Sequence, residues 1–159
     1  YGISAAASTL IGQSIGAKRT DLVKRLGWLT TGLGVAVMTL TGAMMYFAAP
    51  WMMGMLSRDA QVVALGVRVL RIEAFAEPLF GAAIVAAGVS RGAGDTLGPS
   101  LINFCSMWLV RLPASALLSK RIGLVGVWIA MCVELCIRGI LFLIRLSRGK
   151  YAKKAFAAQ

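Results

Sequence analysis

The stretch RVLRIEAFAEP at 68–78 places Arg68, Arg71, Glu73 and Glu77 just before Pro78, inside an otherwise apolar run. Glu73 and Glu77 are four residues apart, so on a helix they share one face. Two carboxylates there repel one another, and a proton or a cation bound between them relieves the repulsion. Pro78 brings no backbone N–H, which exposes the carbonyl one turn earlier, that of Ala74, as a further oxygen at the same level. The chemistry on offer is binding of a proton or cation. The alternative is a scaffold in which these acids pair with Arg71 or Arg111.

Other charges sit where charge is costly. Arg111 lies beside Pro113, and Glu134 and Arg138 occupy another apolar run. The acid precedes the base by four residues in that last pair, the favourable order for an ion pair within one helix. Rise per residue puts Glu73, Arg111 and Glu134 at similar depths, each roughly 12–17 Å from the outer face of a membrane core, so they could meet near its middle. A charge at that depth faces a bundle interior or a watery cavity. Arg68 and Arg71 could instead extend to the outer interface. The chain has no His, which removes the usual proton shuttle and catalytic base. Cys105, Cys132 and Cys136 are an odd set without metal-ligand spacing and read as small apolar fillers. No nucleophile stands beside an evident base, so neither an enzyme, a metal site nor a cofactor is expected.

The elements that must position these groups are membrane helices. Hydrophobic residues make up 58% of the 159-residue chain and charged ones 14%, against roughly a quarter charged in soluble domains. Leu26 through Ser57 carries no charge at all, longer than the ~20 residues a helix needs to cross a bilayer. Spans are expected at about 26–53, 62–90, 97–118 and 122–144, with 1–17 as the end of a span whose beginning precedes Tyr1, and 145–159 as a basic tail. The fold class is therefore an all-α integral membrane bundle. Lys18, Arg19, Lys24, Arg25, Arg91, Arg145, Arg148, Lys150, Lys153 and Lys154 fall on one side, against Arg58, Lys120 and Arg121 on the other. That bias predicts a multi-pass protein with its C-terminus in the cytoplasm. The net charge of +11 is then accounted for by topology and anionic lipid headgroups, and no nucleic-acid partner is needed. Tyr46, Trp51, Trp28 and Tyr151 fall near the two interfaces, while Trp108 and Trp128 lie deeper, as packing or cavity-lining residues.

Between the second and third spans, RGAGDT at 91–96 has turn chemistry. Gly92 and Gly94 permit a tight reversal, Asp95 or Thr96 can cap the next helix, and Arg91 can meet Asp95 or the headgroups.

The segment RGAGDTLGPSLINFCSMWLVRLPASALL at 91–118 resembles the stretch joining the fourth and fifth helices of a half in the multidrug and toxic compound extrusion transporters. Arg91, Gly92, Gly94, Asp95, Thr96, Asn103, Trp108, Arg111 and Pro113 match that pattern. GQSIGAKR at 12–19 and the stretch 123–151 resemble the end of the second helix of a half and its last helix with a basic exit.

The resemblance implies a twelve-helix, two-lobed exporter, of which this chain holds the end of the eighth helix and helices nine to twelve. It also implies exchange of H⁺ or Na⁺ for organic, often cationic, compounds by alternating access, in a plasma membrane, the bacterial inner membrane. Asn103 and Trp108 become candidates for lining a cavity. The partners expected are membrane lipids, small organic substrates and the N-terminal part of the same chain. One departure stands out. Where several members carry a cation-binding acid after the tenth-helix proline, this chain has Phe80 and Gly81, which leaves Glu73 and Glu77 as the acids at hand, with Arg111, Glu134 and Arg138 as electrostatic neighbours. A lipid-linked oligosaccharide flippase of the same superfamily and a non-transporting scaffold subunit are the alternatives.

Overall fold

A computed structural model describes residues 1–149 and Tyr151. Lys150, Lys153 and Lys154 of the basic tail lie outside the described residues. The described residues form five helices: α1 (Gly2–Gly16), α2 (Thr20–Leu56), α3 (Ala60–Gly92), α4 (Leu97–Ile122) and α5 (Leu124–Arg148). The last four are long and apolar enough to cross a membrane. A helix bonds most of its backbone groups internally, which the interior of a bilayer demands because it offers no water to replace them. The helices outrun the apolar stretches: α2 begins at Thr20 and takes in Lys24 and Arg25, since a helix can continue into water once its apolar part has ended.

Short connections join them. Asp59 caps α3 by accepting from the Gln61 N–H at 2.9 Å. The reversal between α3 and α4 uses Gly94 at φ +76°, a conformation L side chains rarely adopt.

α3 is the central element, packed against α1, α2 and α5, while α4 leans mainly on α5. The reason is composition. The run GAAIVAAGVS at 81–90 is buried at nearly every position, because small side chains let neighbouring backbones approach from several directions. Gly139 of α5 shows how close this is: a Cβ there would stand 2.5 Å from the Leu79 carbonyl oxygen of α3. Large side chains cover the outside instead, among them Trp28, Leu33, Leu40, Phe47 and Trp51 of α2, and Leu101, Phe104 and Leu109 of α4. In lipid such a surface is at home, since the tails are as apolar as the side chains.

At the end of the bundle holding the 91–96 turn, Ile11, Ile15, Val23, Val89, Leu146 and Tyr151 form one core cluster. Tyr151 is therefore not the interfacial ring expected of it. The left-handed Gly149 reverses the chain after α5 and returns the phenol to the interior, beside Gly27. Burial pushes the Tyr151 hydroxyl above its ordinary pKa, because the low-polarity surroundings disfavour the phenolate.

Replacing Gly139 by Leu should force α3 and α5 apart and destabilise the protein by roughly 1–3 kcal/mol. Gly54→Ala, where a Cβ meets nothing within 4 Å, serves as the control. Thermal unfolding in detergent checks both: a lowered midpoint is expected for the first and an unchanged one for the second.

Candidate functional site

The middle of α4 is not regular. Residues Ser106–Arg111 form a π-helical turn immediately before Leu112 and Pro113. In a uniform α-helix the Pro113 ring would crowd the Leu109 carbonyl, and a widened turn upstream relieves that contact. The widening also aims Ser106 and Arg111 at α5. Ser106 Oγ donates to Glu134 Oε1 at 2.5 Å. Arg111 Nη2 contacts Met131 Sδ at 2.8 Å.

Glu134 is 1% exposed, and Arg138 Nε stands 3.2 Å from the same carboxylate oxygen that Ser106 reaches. The i,i+4 ion pair thus forms within α5, with a serine from α4 added across the interface. The second oxygen, Oε2, is buried without a hydrogen-bond partner among the described residues. Arg138 also lies over the Phe80 ring of α3, 5.9 Å from its centroid.

A second cluster gathers on α3. Glu73 interacts electrostatically with Glu77 on its own helix and with Arg111 of α4. Cys132 of α5 is another neighbour of Glu73. One oxygen of Glu73, Oε2, is buried and without a hydrogen bond among the described residues. Glu77 lies with its Cβ and Cγ against Gly42 of α2, and the Ala74 carbonyl, released by Pro78, faces the same glycine. Beside this contact, α2 and α3 enclose an apolar hollow of about 330 Å³ between Thr39, Tyr46, Phe47, Phe75 and Pro78.

The other charges divide. Arg68 is exposed, whereas Arg71 rests on the face of Tyr46, 5.0 Å from the ring centroid. Glu73, Glu77 and Arg111 come together. Glu134 and Arg138 form their own group with Ser106. Asn103 is exposed and borders a small hollow with Arg91 and Arg138. Trp108 is exposed as well, its ring 5.7 Å from that of Phe104.

Asp95 is buried and accepts from the Gly98 N–H at 3.3 Å, the capping contact expected at the start of α4. Its carboxylate is also paired with Arg145 near the end of α5. Arg91 Nη2 instead donates to Ser4 Oγ of α1 at 3.2 Å. Ser106 and Ser4 carry no signal in the sequence, and Arg145 reads there only as one of the basic residues on one side of the membrane. The partners of Ser106, Arg145 and Ser4 lie 28, 50 and 87 residues away, and no local spacing signals such a contact.

Four long apolar helices enclosing paired and half-paired charges define a multi-pass membrane protein. The family model for MatE matches residues 1–117, and the chain belongs to that family. This is a family of transporters rather than of enzymes. The chain is 29% identical over 160 residues to the "Probable multidrug resistance protein NorM" of Thermotoga maritima, covering 98% of this chain and 34% of that protein. It is 32% identical over 157 residues to the protein of the same name in Mesorhizobium japonicum, covering 92% and 33%. An uncharacterized transporter of Schizosaccharomyces pombe is 29% identical over 133 residues, covering 82% and 25%. The chain thus spans about a third of the length of the bacterial relatives.

Breaking the contact between the 91–96 turn and α5 should cost stability. Asp95→Asn and Arg145→Gln should each lose about 2–3 kcal/mol, because either removes one half of a partly buried ion pair. The double variant should lose less than the sum of the two, which thermal melts of all four proteins would show. Strict additivity would mean that the two side chains act independently.

Proposed function

We propose that the chain is the C-terminal part of the second six-helix lobe of a twelve-helix, two-lobed exporter. In this reading the protein expels organic, often cationic, compounds in exchange for H⁺ or Na⁺. The observation that carries it is the cluster of Glu73, Glu77 and Arg111. Two acids share one helix, and Glu73, with a buried oxygen that has no hydrogen bond among the described residues, interacts with Arg111 of another helix. An incoming proton or Na⁺ would neutralise repulsion between the acids and weaken the hold of Arg111 on Glu73. Because Arg111 belongs to α4 and the acids to α3, binding would bias how these helices pack. A ligand shifts such an equilibrium only through different affinities for its two states, and a charge change at an interhelical contact supplies that difference.

The similarity to proteins named for multidrug resistance supports export as the activity. The lysine and arginine bias supports a cytoplasmic C-terminus, and the similarity to bacterial multidrug resistance proteins supports a plasma membrane, in bacteria the inner one. The N-terminal part of the same chain would supply the opposite wall of the cavity. Asn103 and Trp108, exposed on α4, are suited to face it. A lipid-linked oligosaccharide flippase is the second reading, favoured by Arg71 and Arg111 lying against other helices.

In full-length protein expressed in a drug-sensitive strain, Glu77→Gln should slow gradient-driven ethidium efflux roughly tenfold while membrane insertion is retained. Unchanged efflux by a well-expressed variant would remove Glu77 from the coupling site. Gradient-independent absence of efflux in the wild type, despite good expression, would favour the flippase.

A further inference from the structure

The small hollow beside Asn103 has a composition that cation export does not call for. It measures about 130 Å³ and is bordered by Arg91 of α3, Asn103 of α4 and Arg138 of α5, over a floor that includes Phe80, Ala83 and Ala87. Among the described residues no carboxylate borders it. The polar groups from three helices include two guanidiniums, which have donors and no acceptor.

Both arginines are held from behind. Ser4 Oγ donates to the Ile84 carbonyl at 2.9 Å, so its lone pairs are left to accept from Arg91 Nη2 at 3.2 Å. Ser4 is itself 2% exposed and fixed between α1 and α3. Arg138 is drawn toward Glu134 by the ion pair, Nε 3.2 Å from Oε1 and without a hydrogen bond among the described residues, and rests over Phe80. Glu134 offsets one positive charge, and the hollow keeps an excess of about one. A guanidinium anchored through one edge presents its other N–H groups in a fixed fork, the geometry that matches two oxygens of one anion. Low-polarity walls strengthen that attraction relative to water.

We propose that this hollow binds an oxyanion, a phosphate or carboxylate group, seated between Arg91 and Arg138 with Asn103 donating from the side. The site is separate from the Glu73, Glu77 and Arg111 cluster, and its occupancy does not depend on which coupling ion or exported compound the protein uses. Such a group could come from a lipid headgroup or from a soluble anion.

The test uses purified full-length protein. Retention of phosphatidylglycerol over phosphatidylcholine is counted by native mass spectrometry, and inorganic phosphate is titrated calorimetrically in a zwitterionic detergent. Preferential retention of phosphatidylglycerol points to a headgroup, and phosphate binding to a soluble anion; either supports the site when the variants weaken it. Arg91→Gln should reduce the binding observed roughly tenfold, and Asn103→Leu about threefold. Asn103 is exposed, so that variant remains informative if Arg91→Gln fails to fold. Ethidium efflux is measured on Arg91→Gln, at a residue outside the proposed coupling cluster and cavity wall, to separate loss of this site from loss of transport. Binding of neither probe by the wild type, or equal binding by a folded Asn103→Leu or Arg91→Gln protein, would overturn the proposal.

Discussion

An ionised side chain inside a membrane must find an opposite charge, a set of dipoles or water, and most of this bundle is organised around meeting that demand. Glu134 receives Ser106 and Arg138. Asp95 receives Arg145 and the first turn of α4. Arg71 lies on an aromatic face. On α3, Glu73 has a second acid, Glu77, and one base, Arg111, as its charged neighbours, two acids to one Arg. An imbalance of that kind is costly as scaffold and useful as a site, because a mobile cation can complete it.

Helix geometry follows from the same demand. Charges on α3, α4 and α5 can meet only if the backbones approach closely, and the small residues of α3 together with Gly139 of α5 permit that approach. The π turn in α4 supplies the remaining adjustment. It carries Ser106 and Arg111 at its two ends, and Pro113 downstream gives a local cause for it. Packing and electrostatics are therefore coupled: a substitution that spreads α3 from α5 would also take Cys132 from Glu73 and Phe80 from Arg138.

Much of the architecture was legible because the relevant signals are local. Apolar run length reports a spanning helix whatever surrounds it, so the four long helices could be read from hydropathy. The spacing of Glu134 and Arg138 reports a pair on one helix for the same reason. Contacts between helices leave no such trace. Ser106 looks like any small polar residue, Arg145 like one more basic residue at a helix end, and Tyr151 like an interfacial ring, until the fold brings each to a partner. Arg71 was open to either reading, and only the position of Tyr46 on α2 decides where its guanidinium rests. The joint between α3 and α4 was legible as a turn, but its link to the far end of α5 was not.

The central claim is that the face of α3 bearing Glu73 opens to water rather than serving as a sealed scaffold. Cys132, the neighbour of Glu73 on α5, is a natural reporter. With Cys105 and Cys136 replaced by Ala in the full-length protein, the rate at which a membrane-impermeant methanethiosulfonate modifies Cys132 can be followed in vesicles with and without an imposed ion gradient. A thiol reacts with such a reagent only where water and the reagent reach it. The account predicts modification at a rate that changes with the gradient. A Cys132 that stays unmodified under every gradient, in protein that still folds, would contradict it.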